Sequence, residues 1–235
     1  MELKDFASIA ALIISIISLG ITLFQKSKET NRTIRKNLSD TLENVSKIGI
    51  ETTKLKFSAD NSDNIIELRR SYNTQRRILI AHADYLASKY DKMATEIDCQ
   101  ILASALTNIG NLERAEHYWR KTIDKSETNA IKHMNLRGFA WFQFLQGQFQ
   151  NGRKKYEEAL SLELNDNDYN RRLITDTYIM WAKVERDYNN TLEFKRVVGL
   201  AYGYCSRIGN KSMREEMEIQ IRRLEPTTDE PIVGA

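Results

Sequence analysis

Proline is almost missing from this 235-residue chain: there are two, Pro226 and Pro231, both within the last ten residues. Before Pro226 no pyrrolidine ring removes a backbone donor or breaks a helix. Glycine is scarce too, at ten residues, which excludes collagen-like and glycine-rich low-complexity chains. The two cysteines, Cys99 and Cys205, lie far apart in the sequence. They are too few for a disulfide scaffold, and each reads as a small core residue in a reducing compartment. No sign of charge dominates, since 35 Lys and Arg face 32 Asp and Glu for a net charge of +3. That balance argues against nucleic acid as a partner. Phosphate-cradling glycine loops and a nucleophile elbow are lacking, and His82, His117 and His133 stand apart without metal-ligand spacing. No catalytic, cofactor-binding or metal-binding residue is assigned, and the chain is not expected to be an enzyme or to need a cofactor.

What is present begins with one apolar run. Phe6–Phe24 reads FASIAALIISIISLGITLF, nineteen residues without a charge, in a chain whose mean hydropathy is −0.51. At 1.5 Å per residue it extends roughly 29 Å as a helix, close to the ~30 Å hydrocarbon layer of a bilayer. A cleaved signal peptide fits less well: the start is MELKD rather than basic, and Gln25-Lys26-Ser27-Lys28 follows instead of a small-residue cleavage site. The run is expected to be a transmembrane helix, residues 6–24, in the cell (inner or plasma) membrane. Lys26, Lys28, Arg32, Arg35 and Lys36 follow it against Glu29 alone. Basic flanks stay on the cytoplasmic side, so residues 1–5 are expected outside and the rest within the cytoplasm. The cluster reads most simply as this topology signal, and it could also touch anionic headgroups. Ala7, Ala11, Ser15, Ser18 and Thr22 recur at spacings of 4, 4, 3 and 4, a row of small residues that would let two such helices meet as a homo-oligomer.

Residues 25–62 form a polar, basic juxtamembrane connector. In it Ile34, Leu38, Thr41, Val45, Ile48, Thr52 and Leu55 alternate at 4 and 3, a coiled-coil-like seam over three heptads. Two readings stay open: a parallel oligomeric stalk, or a helical linker that is unpartnered or folded back on the following domain. The polar stretch Ser58–Asp63 ends it. Residues 63–226 are expected to be an all-α domain, opening with one long amphipathic helix over 64–91. Residues 227–235 are expected to be a disordered tail.

A longer period follows that helix. Leu102-Ala103, Gly110-Asn111-Leu112, Ala115 and Trp119 are matched by Phe139-Ala140, Gly147-Gln148-Phe149, Gly152 and Tyr156, with the two turn glycines 37 residues apart. A degenerate third unit contains Tyr178-Ile179 and a turn near Arg186-Asp187-Tyr188. A last helix follows Gly209-Asn210. Over roughly residues 95–226 the chain resembles the tetratricopeptide repeat family. The resemblance implies a solenoid of antiparallel helix pairs, with Tyr118, Trp119, Tyr156, Tyr178 and Trp181 in its core. It also implies a concave groove on the first helix of each pair, lined by Asn108, Arg137, Trp141, Phe144, Asp176, Met180 and Lys183, with Ser104 and Thr107 beside them. Large aromatics next to arginine on such a surface suit a protein partner. The expected function is a single-pass, membrane-anchored scaffold that holds a partner protein of unknown identity at the cytoplasmic face. The rival expectation is an oligomerising membrane-active effector with a helical sensor domain, as in microbial defence, and a third is an organellar import receptor.

Overall fold

The computed structural model describes residues 3–56 and 63–225; side chains are described from Ser18 onward, except at Lys56 and Asp63. Among the described residues every regular element is helical. The elements are α1 (Leu3–Lys56), α2 (Asp63–Lys89), α3 (Glu96–Asn108), α4 (Leu112–Asp124), α5 (Asn129–Leu145), α6 (Phe149–Leu160), α7 (Asp168–Asp187), α8 (Thr191–Cys205) and α9 (Lys211–Arg222), with a 3-10 turn at Asp91–Met93. The chain is all-α, as its composition predicts. It divides into two compact units, Met1–Asn111 and Leu112–Ala235.

No helix among the described residues is long and apolar enough to cross a membrane, so the expected transmembrane helix is not found there. Most of the apolar run, including Ala7, Ala11 and Ser15, belongs to the part of α1 whose side chains lie outside the described residues. At its other end, Ser18 and Thr22 are exposed and Thr22 Oγ1 donates to Ser18 O. Leu19, Ile21, Leu23 and Phe24 are exposed as well. The expected tail, 227–235, also lies outside the described residues.

In the first unit α1 and α2 form a hairpin joined by α3. The seam read from the sequence is the buried stripe of α1: Leu38, Thr41, Leu42, Val45 and Thr52 are buried, and Ile34, Ile48 and Leu55 half-buried. Within the chain α1 packs on α2, where Ile80, Ala83, Leu86 and Ala87 are buried in turn, and on α3. Two threonines are tolerated in the seam because Thr41 Oγ1 donates to Asn37 O at 2.7 Å and Thr52 Oγ1 to Ile48 O at 2.7 Å, leaving no unmet hydroxyl to bury. On α2, Ile80, Ala83, Leu86 and Ala87 are buried and Ile65, Tyr72 and Leu79 half-buried, as is Tyr90 just past its end, while Leu68 is exposed. Two half-buried arginines share this face toward the start of α2. Arg69 donates to Leu55 O, and Arg76 lies against Gly49, where a Cβ would stand 3.6 Å from its guanidinium. The lower half of the hairpin is therefore closed by arginine stems. Helix α3 starts on a capping box, with Asp98 Oδ2 accepting from Thr95 N at 2.7 Å and Thr95 Oγ1 at 2.8 Å. Arg35 of α1 reaches the same oxygen at 2.9 Å and ties α3 to α1.

The second unit is built of helical hairpins, α5 with α6 and α7 with α8, with α4 against α5 and α9 across α7 and α8. Cap residues mark the starts: Thr128, Asn167 and Asn210 accept from Ile131 N, Asn170 N and Met213 N. The α5–α6 turn needs the left-handed region, which Gly147 supplies at φ 71°. The α7–α8 turn has no glycine, and Asn189 takes that role at φ 59°, a conformation asparagine tolerates better than most residues. Asp168 ties the start of α7 to the turn before α9 by accepting from Gly209 N at 2.9 Å and Asn210 N at 2.8 Å. Those two bonds, with Arg171 beside them, hold its carboxyl below the usual range.

Small residues set the closest approaches. A Cβ on Gly138 would come within 2.6 Å of the Trp119 ring, and one on Gly152 would enter the Phe144 ring and stand 3.1 Å from Ala140 O. Phe144 has no room to retreat because Phe149, Tyr156 and Tyr188 surround it. Gly152→Ala should therefore destabilise the protein by about 1–3 kcal/mol in urea unfolding. Gly199→Ala, in α8 with nothing within 4 Å of the added carbon, should stabilise it by about 0.5–1 kcal/mol. Equal effects at the two positions would refute the packing argument.

Candidate partner-binding surface

Helices α5 and α7 make contact, and matched positions on them are 39 residues apart. Arg137 of α5 and Asp176 of α7 form an ion pair, with side chains 17% and 37% exposed. One helical turn further along each helix stand Trp141 and Met180, both half-buried. Trp141 packs by one side on the core of the unit, which leaves the other side open. Lys183 is exposed at the end of the α7 row. Of the expected groove residues, Arg137, Trp141, Asp176 and Met180 are thus brought together on one surface.

Phe144 is not part of that surface and must be removed from the set. It is fully buried, packed between Phe149, Tyr156 and Tyr188 and seated over Gly152. The family-derived offset points it outward, but at the last turn of α5 the missing Cβ of Gly152 draws the ring inward. Asn108 belongs to the first unit, at the end of α3, where it is exposed. Ser104 is half-buried, and Thr107 is buried with its hydroxyl donating to Ala103 O. The aromatics assigned to the core are there: Tyr118, Trp119, Tyr156, Tyr178 and Trp181 are all buried.

Polar groups that the sequence did not single out lie beneath the surface. His133 of α5 is fully buried. Its Nδ1 stands 2.8 Å from Ala159 O, at the end of α6, and its Nε2 stands 2.7 Å from Thr177 Oγ1 of α7. A carbonyl only accepts, so Nδ1 carries the proton and donates. Burial outweighs that bond and lowers the imidazole from 6.5 to about 4. Tyr156 and Trp181 stack with centroids 5.3 Å apart and planes 6° from parallel. Burial pushes the Tyr156 hydroxyl well above its ordinary range. Below the stack Glu185, fully buried, receives both nitrogens of the Arg153 fork at 2.7 and 2.8 Å and the Trp181 indole N–H at 2.8 Å. The signal for Glu185 was in the spacing: Tyr178, Trp181 and Glu185 recur at 3 and 4, which places an acid in an apolar row. Among the described residues no three of His, Cys, Asp and Glu converge as a metal site would require.

No family model, no curated protein and no solved structure matches this chain. The surface is consequently interpreted from its own chemistry.

Two stability measurements test this account of the layer below it. An unfolded histidine binds its proton near 6.5, whereas His133 in the fold binds one only near 4. Stability is then fully present above about pH 6.5 and falls by about 3 kcal/mol as pH drops to 4. His133→Gln should lose that part of the slope in urea unfolding at pH 7 and pH 4.5. An unchanged slope would refute the buried neutral imidazole. Glu185→Ala leaves Arg153 and the Trp181 N–H without their acceptor and should cost about 3–5 kcal/mol. Replacing Arg153 and Glu185 together by methionine should recover most of it.

Proposed function

We propose that this protein is a single-pass membrane-anchored scaffold, whose tetratricopeptide-like helical hairpins bind a partner protein at the cytoplasmic face of the cell membrane. The observation that carries the binding role is the half-open Trp141 beside the Arg137–Asp176 pair and Met180. A large aromatic fixed on one side by a core and flanked by a charge pair has the composition of an interface anchor. A protein segment covering it would gain apolar area from Trp141 and Met180 and orientation from the charges, with Lys183 on the rim. Anchoring is supported by the uncharged run Phe6–Phe24, by the exposed side chains of Leu19, Ile21, Leu23 and Phe24, and by the basic residues after them. The repeat-like reading is supported by two consecutive hairpins with left-handed turn residues, and by glycines at the close approaches of α5 to α4 and of α6 to α5.

The test is crosslinking of the full chain at native expression, followed by mass spectrometry of the captured proteins. Trp141→Ala should reduce the specific partner at least tenfold without changing the melting temperature by more than a few degrees. A control at Leu192, which is 87% exposed on α8, should change nothing. If Trp141→Ala keeps its partner while Leu192→Ala loses it, the surface is on the other side of the unit and this reading fails.

A further inference from the structure

The first unit carries an open, shallow cleft of about 630 Å³ along one face of α1, lined by Lys28, Asn31, Arg32, Arg35, Lys36, Ser39 and Asp40, with Met93 of the 3-10 turn at its edge. Four of the eight are cations and one is an acid. Lys28, Arg32 and Lys36 succeed one another at i, i+4 and i+8, a ladder of like charges that repels itself along the helix. Elsewhere α1 relieves its charges by pairing, as in Lys47 with Glu43 at 2.6 Å and Lys54 with Glu51 at 2.8 Å. Among the described residues no carboxylate pairs with Lys28, Arg32 or Lys36. Arg35 differs: its ion pair with the buried Asp98 at 2.9 Å fixes it on the inner wall. The walls are mostly carbon, from the stems of the long side chains and Met93. A fixed guanidinium, three unpaired cations and carbon walls suit an anion with an apolar continuation.

We infer that this surface is a binding site for the phosphate of an anionic phospholipid headgroup, held between Lys28 and Arg32. This rests on the anchoring reading above. Position along the helix favours a lipid over a soluble anion. Lys28 and Arg32 are four and eight residues past Phe24, roughly 6 and 12 Å along the axis. The headgroup layer is about 5–8 Å thick on each side of the hydrocarbon. Lys28 thus lies at headgroup depth, and the long side chain of Arg32, which leans toward the N-terminus of the helix, reaches back to it. The acid on the lining, Asp40, stands three turns beyond Lys28, at the end away from the lipid.

The full chain is reconstituted in nanodiscs of phosphatidylcholine with one-tenth phosphatidylglycerol, released in mild detergent and weighed with its retained lipid by native mass spectrometry. The wild type should keep phosphatidylglycerol in preference to phosphatidylcholine at least tenfold over their ratio in the disc. Arg32→Gln should cut that preference about fivefold, the effect of one juxtamembrane charge, and Lys28→Gln with Arg32→Gln should abolish it. Lys195→Gln, an exposed cation on α8, should leave it intact. Equal retention of the two lipids by a chain that resists carbonate extraction, or an unchanged preference in the double variant, overturns this inference and leaves anchoring standing. Displacement of the retained lipid by millimolar glycerol phosphate overturns the lipid in favour of a soluble phosphate. Carbonate extraction of the wild type overturns the anchoring reading and this inference together.

Discussion

The second unit turns on one side chain, Trp181. Tyr156 from α6 stacks on its ring, Arg196 from α8 stands over the ring at 5.2 Å, and its N–H goes to Glu185 one turn along α7. Glu185 in turn receives the Arg153 fork from α6. Three helices are therefore registered against each other through one indole and one carboxylate. Dispersion supplies the area, but hydrogen bonds select the register, because sliding α6 by a turn would strand a buried charge. The Arg137–Asp176 pair and Trp141 depend on that register, since they lie on the same two helices α5 and α7 that His133 bridges through Thr177.

The first unit solves a different problem. Its stripe on α1 contains two threonines and a glycine where a bundle normally has aliphatic residues, and the opposing helix brings two arginines. The hydroxyls fold back onto their own helix, and Gly49 leaves room for the Arg76 guanidinium. Burial without a counter-charge lowers the proton affinity of that guanidinium. It remains charged because an arginine starts so far above neutrality. Apolar packing is concentrated in the Leu38–Val45 half of the hairpin, against Ile80–Ala87, and the other half relies on stems and caps.

Much of the helical layout was legible because local chemistry decided it. Gly147 marks a turn only a residue free of Cβ strain adopts easily, and Asn210 precedes the last helix with an acceptor for a backbone donor. The seam of α1 was legible as a periodicity, but not its partner, since a 3-4 spacing says that a stripe is buried and not by what. Phe144 was misplaced for a related reason: its orientation depends on Gly152 eight residues later, across a turn. His133 and Glu185 were overlooked because a lone polar residue in a helical pattern carries no mark of the acceptor or donor waiting on another helix. Of the candidate surface, the types and spacing of Arg137, Trp141, Asp176 and Met180 could be read, while the pairing of the two charges required the crossing of α5 and α7.

Helix α1 runs without interruption from Leu3 to Lys56, and this has a rotational consequence. At 100° per residue, twenty residues turn a helix by about 200° beyond whole revolutions. Ser18 and Thr22 therefore look away from the side on which Leu38 and Leu42 are buried. A neighbouring helix that met α1 along Ser18 and Thr22 would arrive from behind the hairpin, with α2 and α3 shielded from it by α1 itself. With no proline or bulge to absorb twist, turning the first segment about its axis would carry Leu38 and Leu42 round with it, so the two faces are geared.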